Sequence, residues 1–308
     1  MTYPQSDAPS KTQPNAQRIA PLAQTATPQS LSDAAELLMV PDSISDRIVL
    51  LDANDGSLVD GNFIDGGDLF STPFNAIQVE NEIWVSDQVA DSIFRYDLTG
   101  KFLGAIADGL DNVRGMEYVN GVVYVSNLGT VPGTSEQHEE VAMFDPQGNH
   151  LGCFRVGRAF DILFFKGELL INDIRRHQDG GENIDRYDLE GNFLGVFHDA
   201  DHLTGIDFPQ QMARRANGNL LVAGFSDPGG IYEYDAEGNQ INLYDIDDGF
   251  AKRVRGVYEL GNGNILWTSG DGVLSTNLET RETTDMYTVN TLDFRPATRY
   301  IEPLCVSR

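Results

Sequence analysis

One acidic or small residue closes a short apolar run six times along the chain, at Asp42, Asp87, Asn127, Asp173, Gly224 and Ser269, with gaps of 45, 40, 46, 51 and 45 residues. Each run sits in the same frame. An apolar strand precedes it across a tight turn, and a third strand follows it and ends in Asp before a Gly turn and a fourth strand. The clearest copy reads Phe74-Asn75-Ala76-Ile77-Gln78-Val79, then Ile83-Trp84-Val85-Ser86-Asp87, then Ser92-Ile93-Phe94-Arg95-Tyr96-Asp97. The third strand ends likewise at Asp145, Asp188 and Asp235, before Gly148, Gly191 and Gly238. Four strands in roughly 40–50 residues, with two-fold alternation and Gly turns, make one blade of a β-propeller. The sequence therefore predicts an all-β, six-bladed β-propeller of four-stranded antiparallel blades.

The first copy starts at its second strand, Leu37-Leu38-Met39-Val40. Its missing partner is expected at the other end, where Arg299-Tyr300-Ile301-Glu302-Pro303-Leu304 resembles the first strand Arg255-Gly256-Val257-Tyr258-Glu259-Leu260. The C-terminal strand thus completes blade one and closes the ring, which removes sheet edges that invite aggregation. Residues 36–308 form the propeller. Residues 1–35, rich in Gln, Ser, Thr, Ala and Pro, cannot bury a core and read as a disordered tail. On this frame Cys153 falls on an outer strand and Cys305 just past an inner one, so no disulfide is expected.

Composition narrows the partners. The formal charge of −26 lacks the basic footprint that nucleic acid requires, and it repels anionic lipid. No apolar stretch approaches the ~20 residues of a bilayer span. No secretory leader is visible, so a soluble, cytoplasmic protein is the expectation, with secretion the alternative. Most Asp residues read as turn formers.

The phrases Trp84-Val85-Ser86-Asp87, Ile93-Phe94-Arg95-Tyr96-Asp97 and Thr99-Gly100-Lys101-Phe102-Leu103-Gly104 resemble NHL-repeat blades. That resemblance speaks for the fold. It leaves activity open, because such blades serve enzymes and scaffolds alike.

Strand direction brings the starts of the innermost strands and the ends of the second strands to one face. Aligned on their second strands, the blades present Arg299, Phe74, Arg114, Phe160, Gln210 and Arg255 at the first inner position. Tyr300, Asn75, Gly115, Asp161, Gln211 and Gly256 follow at the next. Arg pairs carboxylate or phosphate with a planar fork. Arg114, Arg255 and Arg299 are therefore candidates to hold an anionic small molecule, alongside Phe74, Phe160, Gln210 and Gln211. The competing reading pairs each Arg with Asp42, Asp87, Asp161 or Asp173 to tie neighbouring blades. Tyr300, Asp161 and His177 are the candidate proton carriers. Tyr300 follows Arg299, whose charge would lower a neighbouring phenol's pKa.

Asp42, Asn75, Asp87, Asn127 and Asp173 are oxygen donors of the kind Ca²⁺ or another divalent ion takes. Similarity to the gluconolactonase-like propellers implies such an ion on this face, with lactonase or esterase activity. The chain departs from that pattern, since no inner strand begins with their glutamate and three begin with Arg. His138, His177, His198 and His202 fall in loops expected over the same face, without Zn-site spacing.

Three functions stay open. The first is an enzyme of lyase, hydrolase or cyclase type acting on an anionic or carboxylate-bearing substrate at the channel mouth. The second is a protein-binding scaffold, and the third a metal-dependent lactonase.

Overall fold

A computed structural model describes residues 37–130, 139–174, 182–199, 205–226, 229–246, 253–270, 272–289 and 298–305. The segment read as a tail, residues 1–35, lies outside them, as do His138, His177 and His202. The described residues form six four-stranded antiparallel sheets and no helix. No helix is therefore long and apolar enough to cross a membrane.

The innermost strands are Glu302–Leu304, Pro73–Val79, Val113–Val119, Ala159–Phe165, Pro209–Arg214 and Val257–Glu259, for blades one to six. The second strands are Leu37–Asp42, Glu82–Asp87, Val122–Asn127, Glu168–Asp173, Leu220–Gly224 and Ile265–Thr268. They end within one residue of the positions the repeat predicts. Glu302–Leu304 pairs antiparallel with Leu37–Asp42, so the two ends of the chain share blade one.

Alternation divides the core into wedges, one between each neighbouring pair of blades. In the second strand of blade one, Met39 packs toward Ala76, Ile83 and Val85 of blade two. Leu38 and Val40 point the other way, toward Leu260, Leu266 and Val273 of blade six. The seam between blades six and one is thus an apolar wedge like the other five. Trp84, Tyr124 and Trp267 are buried in these wedges and serve as blade core.

Outer seams use the Asp–Gly turns. Asp97 Oδ1 accepts the amides of Thr99 and Lys101, at 2.9 and 3.0 Å, and the same turn recurs at Asp145, Asp188 and Asp235. Gly100 has φ of +83°, and a Cβ there would lie 2.7 Å from the Phe63 carbonyl of blade one. Gly238 is likewise left-handed and lies against the Phe197 carbonyl of blade four. Glycine is needed for the turn and for the close approach to the preceding blade.

Inner seams use hydrogen bonds into the neighbouring innermost strand. Ser86 Oγ donates to the Arg114 carbonyl at 2.6 Å, Ser126 Oγ to Ala159 at 2.6 Å, and Thr268 Oγ1 to Arg299 at 2.7 Å. Asn172 Nδ2 donates to Pro209 and Gln210, at 3.0 and 2.7 Å. Blades five and one carry Ala223 and Pro41 at this site, and backbone substitutes. Gln211 N donates to the Arg255 carbonyl and Tyr300 N to Phe74. All six joints are closed this way.

Asn172 makes the fullest joint, because its Oδ1 also accepts the Phe160 and Asp161 amides. Each buried polar group left unsatisfied costs about 1–3 kcal/mol. Asn172→Leu is expected to lower unfolding free energy by about 3 kcal/mol or more, against about 1–2 for Ser86→Ala. Urea titration of the two variants checks the order.

Candidate functional site

The first two inner positions fall where the ladder to the second strand breaks. Register shifts span Pro73/Asn75, Val113/Met116, Ala159/Ile162 and Pro209/Met212. In blades one and six the ladder starts only at Glu302 and Val257. Such breaks re-aim side chains. Phe74, Arg114, Phe160, Gln210, Arg255 and Arg299 are all buried, and ring contacts connect Arg114, Phe160, Phe74 and Arg299 in turn.

The second position forms a layer of its own. Asn75 Oδ1 accepts the Met116 amide at 3.1 Å, and Asp161 Oδ2 accepts Met212 at 2.8 Å. Gln211 Oε1 accepts both Val257 and Ile301, at 3.0 and 2.8 Å. Each of these side chains satisfies an amide that the broken ladder leaves open. Gly115 makes room for Asp161, because a Cβ there would lie 2.5 Å from Asp161 Oδ1.

Tyr300 fills the centre. Its ring packs on Phe74, with centroids 4.8 Å apart, and its hydroxyl reaches the Phe160 carbonyl of blade four at 3.4 Å. Contrary to the expectation from Arg299, the phenol is pushed well above its ordinary pKa. Full burial dominates and Asp161 adds to it, outweighing the three arginines. Asp161 is also raised well above the carboxylate range, by burial first and then by Glu302. Burial thus makes both candidate proton carriers hold their protons more tightly than they would in water.

The arginines are not tied to the inner carboxylates. Arg114, Arg255 and Arg299 are only 7, 8 and 6% exposed. Among the described residues none of them has a carboxylate within ion-pair distance. Arg114 Nε and Nη1 and Arg255 Nε are buried with no hydrogen-bond partner, as are both amide atoms of Gln210. Each guanidinium instead lies over a phenylalanine: Arg114 over Phe160 at 3.7 Å, Arg255 over Phe225 at 4.5 Å, Arg299 over Phe74 at 5.0 Å. Arg299 Nε also donates to Ser43 Oγ. Burial pushes Arg114 and Arg299 down to about 10 and Arg255 well below its usual value.

The acidic and amide residues have other work. Asp42 accepts the Ile44 and Ser45 amides and the Tyr287 hydroxyl. Asp87 accepts four amides, from Ser71, Thr72, Val89 and Ala90. Asn127 accepts Asp111 and Asp173 accepts Arg158. These oxygens fix loops at the strand ends, and the structure does not gather Asp42, Asn75, Asp87, Asn127 and Asp173 as one ligand set. No three His, Cys, Asp or Glu side chains among the described residues are placed to hold a metal. His198, expected over this face, lies in the outer strand Phe193–Asp199 and bonds the Gly238 carbonyl at 3.0 Å.

Sequence reasoning missed a carboxyl layer beneath Tyr300. Glu302 Oε1 accepts Asn75 Nδ2 at 3.2 Å and Gln211 Nε2 at 2.9 Å. Burial and the nearby Glu117 raise Glu302 to about 8. Glu117 pairs Arg214 at 3.0 Å. The group is neutral when folded but ionises near 4.5 when unfolded. The folded state therefore binds more protons between those values, and stability falls as pH rises from 4.5 to 8. Glu302→Gln should match wild type in melting temperature near pH 4.5 and exceed it at pH 8, measured by thermal unfolding across that range.

No protein-family model and no curated protein matches the sequence. Solved structures do match. A chain in the crystal structure of a nidogen/laminin complex aligns with TM-score 0.63 and 14% identity, over 87% of this chain and 98% of that one. A protein of unknown function from Bacteroides caccae aligns with TM-score 0.58 and 14% identity, over 88% and 99%. The structure of a streptogramin B lyase aligns with TM-score 0.50 and 12% identity, over 72% and 70%. At these identities the likeness is one of fold: the chain shares the β-propeller architecture, here with six blades.

Proposed function

We propose that the chain is a small-molecule enzyme that binds an anionic, carboxylate- or phosphate-bearing substrate at the arginine-lined centre of this face. One observation carries the reading: three buried guanidiniums lie on this face with no carboxylate within ion-pair distance among the described residues. A buried charge left unpaired costs several kcal/mol, and proteins ordinarily pair it. An incoming anion supplies the missing partner, and the guanidiniums stabilise negative charge that develops during reaction. Tyr300 and Asp161, both pushed up in pKa by burial, are the candidate proton carriers of the same centre. That arrangement suits a lyase, hydrolase or cyclase step in which Tyr300 protonates a developing oxyanion. One fold neighbour is named a lyase and another a nidogen/laminin complex, so the fold does not select between enzyme and scaffold.

The outer strands favour a second reading. Phe102, Leu103, Phe193, Leu194, Ile241 and Leu243 are exposed apolar side chains there. A protein partner on the blade edges would cover them and leave the arginines free.

Thermal unfolding with acetate, succinate, inorganic phosphate, Ca²⁺ and EDTA tests the reading. A ligand present at a hundred times its Kd adds about 2.7 kcal/mol to the native state. Carboxylates or phosphate are expected to raise the melting temperature of wild type. Arg255→Met should lose that response while its ligand-free melting temperature stays level or rises, since an unpaired buried charge has gone. A drop in ligand-free stability with no anion response in wild type would refute the substrate-site reading. Loss of stability in EDTA, restored by Ca²⁺, would favour the metal-dependent alternative.

A further inference from the structure

Two adjacent glutamines near the start of the blade-five innermost strand differ in one respect. Gln211 is saturated. Its Nε2 donates to the Ile301 carbonyl at 2.7 Å and to Glu302 Oε1 at 2.9 Å, and its Oε1 accepts the Val257 and Ile301 amides. Gln210 is 0% exposed, and neither its Nε2 nor its Oε1 has a hydrogen-bond partner. A buried donor and acceptor left unmade each cost their full desolvation, so such a group calls for a reason. The fold engages Gln210 through its backbone, where the carbonyl accepts Asn172 Nδ2 at 2.7 Å. Packing alone would be met by an apolar side chain, as it is by Phe74 and Phe160 at the same position of blades two and four.

Printed contacts on both sides tie Gln210 to the arginines. Asn172, which holds its carbonyl, also accepts the Phe160 amide at 2.8 Å, and Arg114 lies over the Phe160 ring at 3.7 Å. The amide of the next residue, Gln211, donates to the Arg255 carbonyl at 3.1 Å. Two residues earlier, Phe208 packs on Phe160 and on Phe225, with centroids 4.9 and 5.4 Å apart, and Arg255 lies over Phe225 at 4.5 Å. Gln210 is thus joined on one side to the ring under Arg114 and on the other to Arg255. Resting on the anion-site reading, we propose that Gln210 recognises a neutral amide on the ligand, so that the substrate class is an amide-bearing carboxylic acid. A primary carboxamide or a lactam presents its N–H and C=O along one edge and pairs both Gln210 atoms in two parallel hydrogen bonds. A ketone offers an acceptor alone and an alkyl group offers neither, so each leaves a buried group unpaired. A hydroxyl would have to serve both atoms from one oxygen, at poor angles.

Calorimetric titration of the full chain with two matched pairs tests this. Succinamate is set against levulinate, in which a methyl replaces the amide nitrogen. 5-Oxoproline is set against cyclopentanecarboxylate, which keeps the ring and the carboxylate. In at least one pair the amide should bind wild type about tenfold or more tighter than its counterpart. Gln210→Leu and Gln210→Met should each bring that ratio to within about twofold while leaving the affinity for the amide-free acids unchanged. Their ligand-free melting temperatures should stay level or rise, because an unsatisfied buried amide has gone. Arg255→Met should weaken both members of a pair alike. The wild-type ratio needs no variant and decides the matter if a substituted chain fails to fold. A ratio near one for both pairs in wild type, or an amide preference that survives either Gln210 substitution, would overturn the amide inference and leave the anion site standing. No binding of any of the four acids would overturn both.

Discussion

The register of this ring depends on hydrogen bonds at every joint, from a second strand or an innermost strand into the innermost strand of the next blade. Apolar wedges supply the bulk of the attraction between blades, but they are non-directional. They would tolerate sliding. The bonds from Ser86, Ser126, Asn172 and Thr268, and the backbone bonds of Gln211 and Tyr300, fix each inner strand against its neighbour. They need carbonyls that are free to accept, and an innermost strand, with one sheet neighbour, turns the carbonyl of every second residue away from that neighbour.

The break in the inner ladder has a chemical consequence. It turns the first two residues of each inner strand toward the axis and sorts them into layers. The lower layer repairs the backbone, with Asn75, Asp161 and Gln211 accepting amides from other blades. The upper layer holds Phe74 and Phe160, which pack with Leu128 and Tyr300, and the three arginines and Gln210. A structural solution for three buried arginines would place carboxylates beside them, and Asp42, Asp87, Asp161 and Asp173 are near enough in the fold to have evolved that role. All four instead serve backbone amides. Stacking on phenylalanine offsets part of the cost of burying the guanidiniums, by about 2 kcal/mol each where desolvated. It neutralises none of the charge. Among the described residues no carboxylate lies within ion-pair distance of them, so the cost of burying them is offset only in part.

The sequence made the ring legible because its periodic parts are physical necessities. Asp before a Gly turn, apolar alternation and a small polar residue ending the second strand recur since every blade needs them. Arg299, Arg114 and Arg255 emerged from register alone. What the sequence concealed were contacts between distant segments. Glu302 opens the last described strand in no special pattern, yet it gathers Asn75 and Gln211 across blades. Phe225, which lies under Arg255, and Phe208, which packs on Phe225 and Phe160, lie just after and before strands, where a lone aromatic carries no signal. Tyr300 was misjudged for the same reason. Its neighbour Arg299 is visible in sequence, whereas its burial and its closeness to Asp161 are not. Acidic strand ends pose the opposite problem: loop caps and metal ligands draw on the same residues, and only the partners tell them apart.

The chain's net charge bears on how such a site would operate. At −26, the protein repels small anions at distances up to about a Debye length, roughly 10 Å at 0.1 M salt. The buried arginines are screened far less, because low-dielectric walls surround them. Added salt therefore weakens the repulsion on approach more than the attraction at contact. An anion site at these arginines would therefore draw its affinity from desolvated forks rather than from steering.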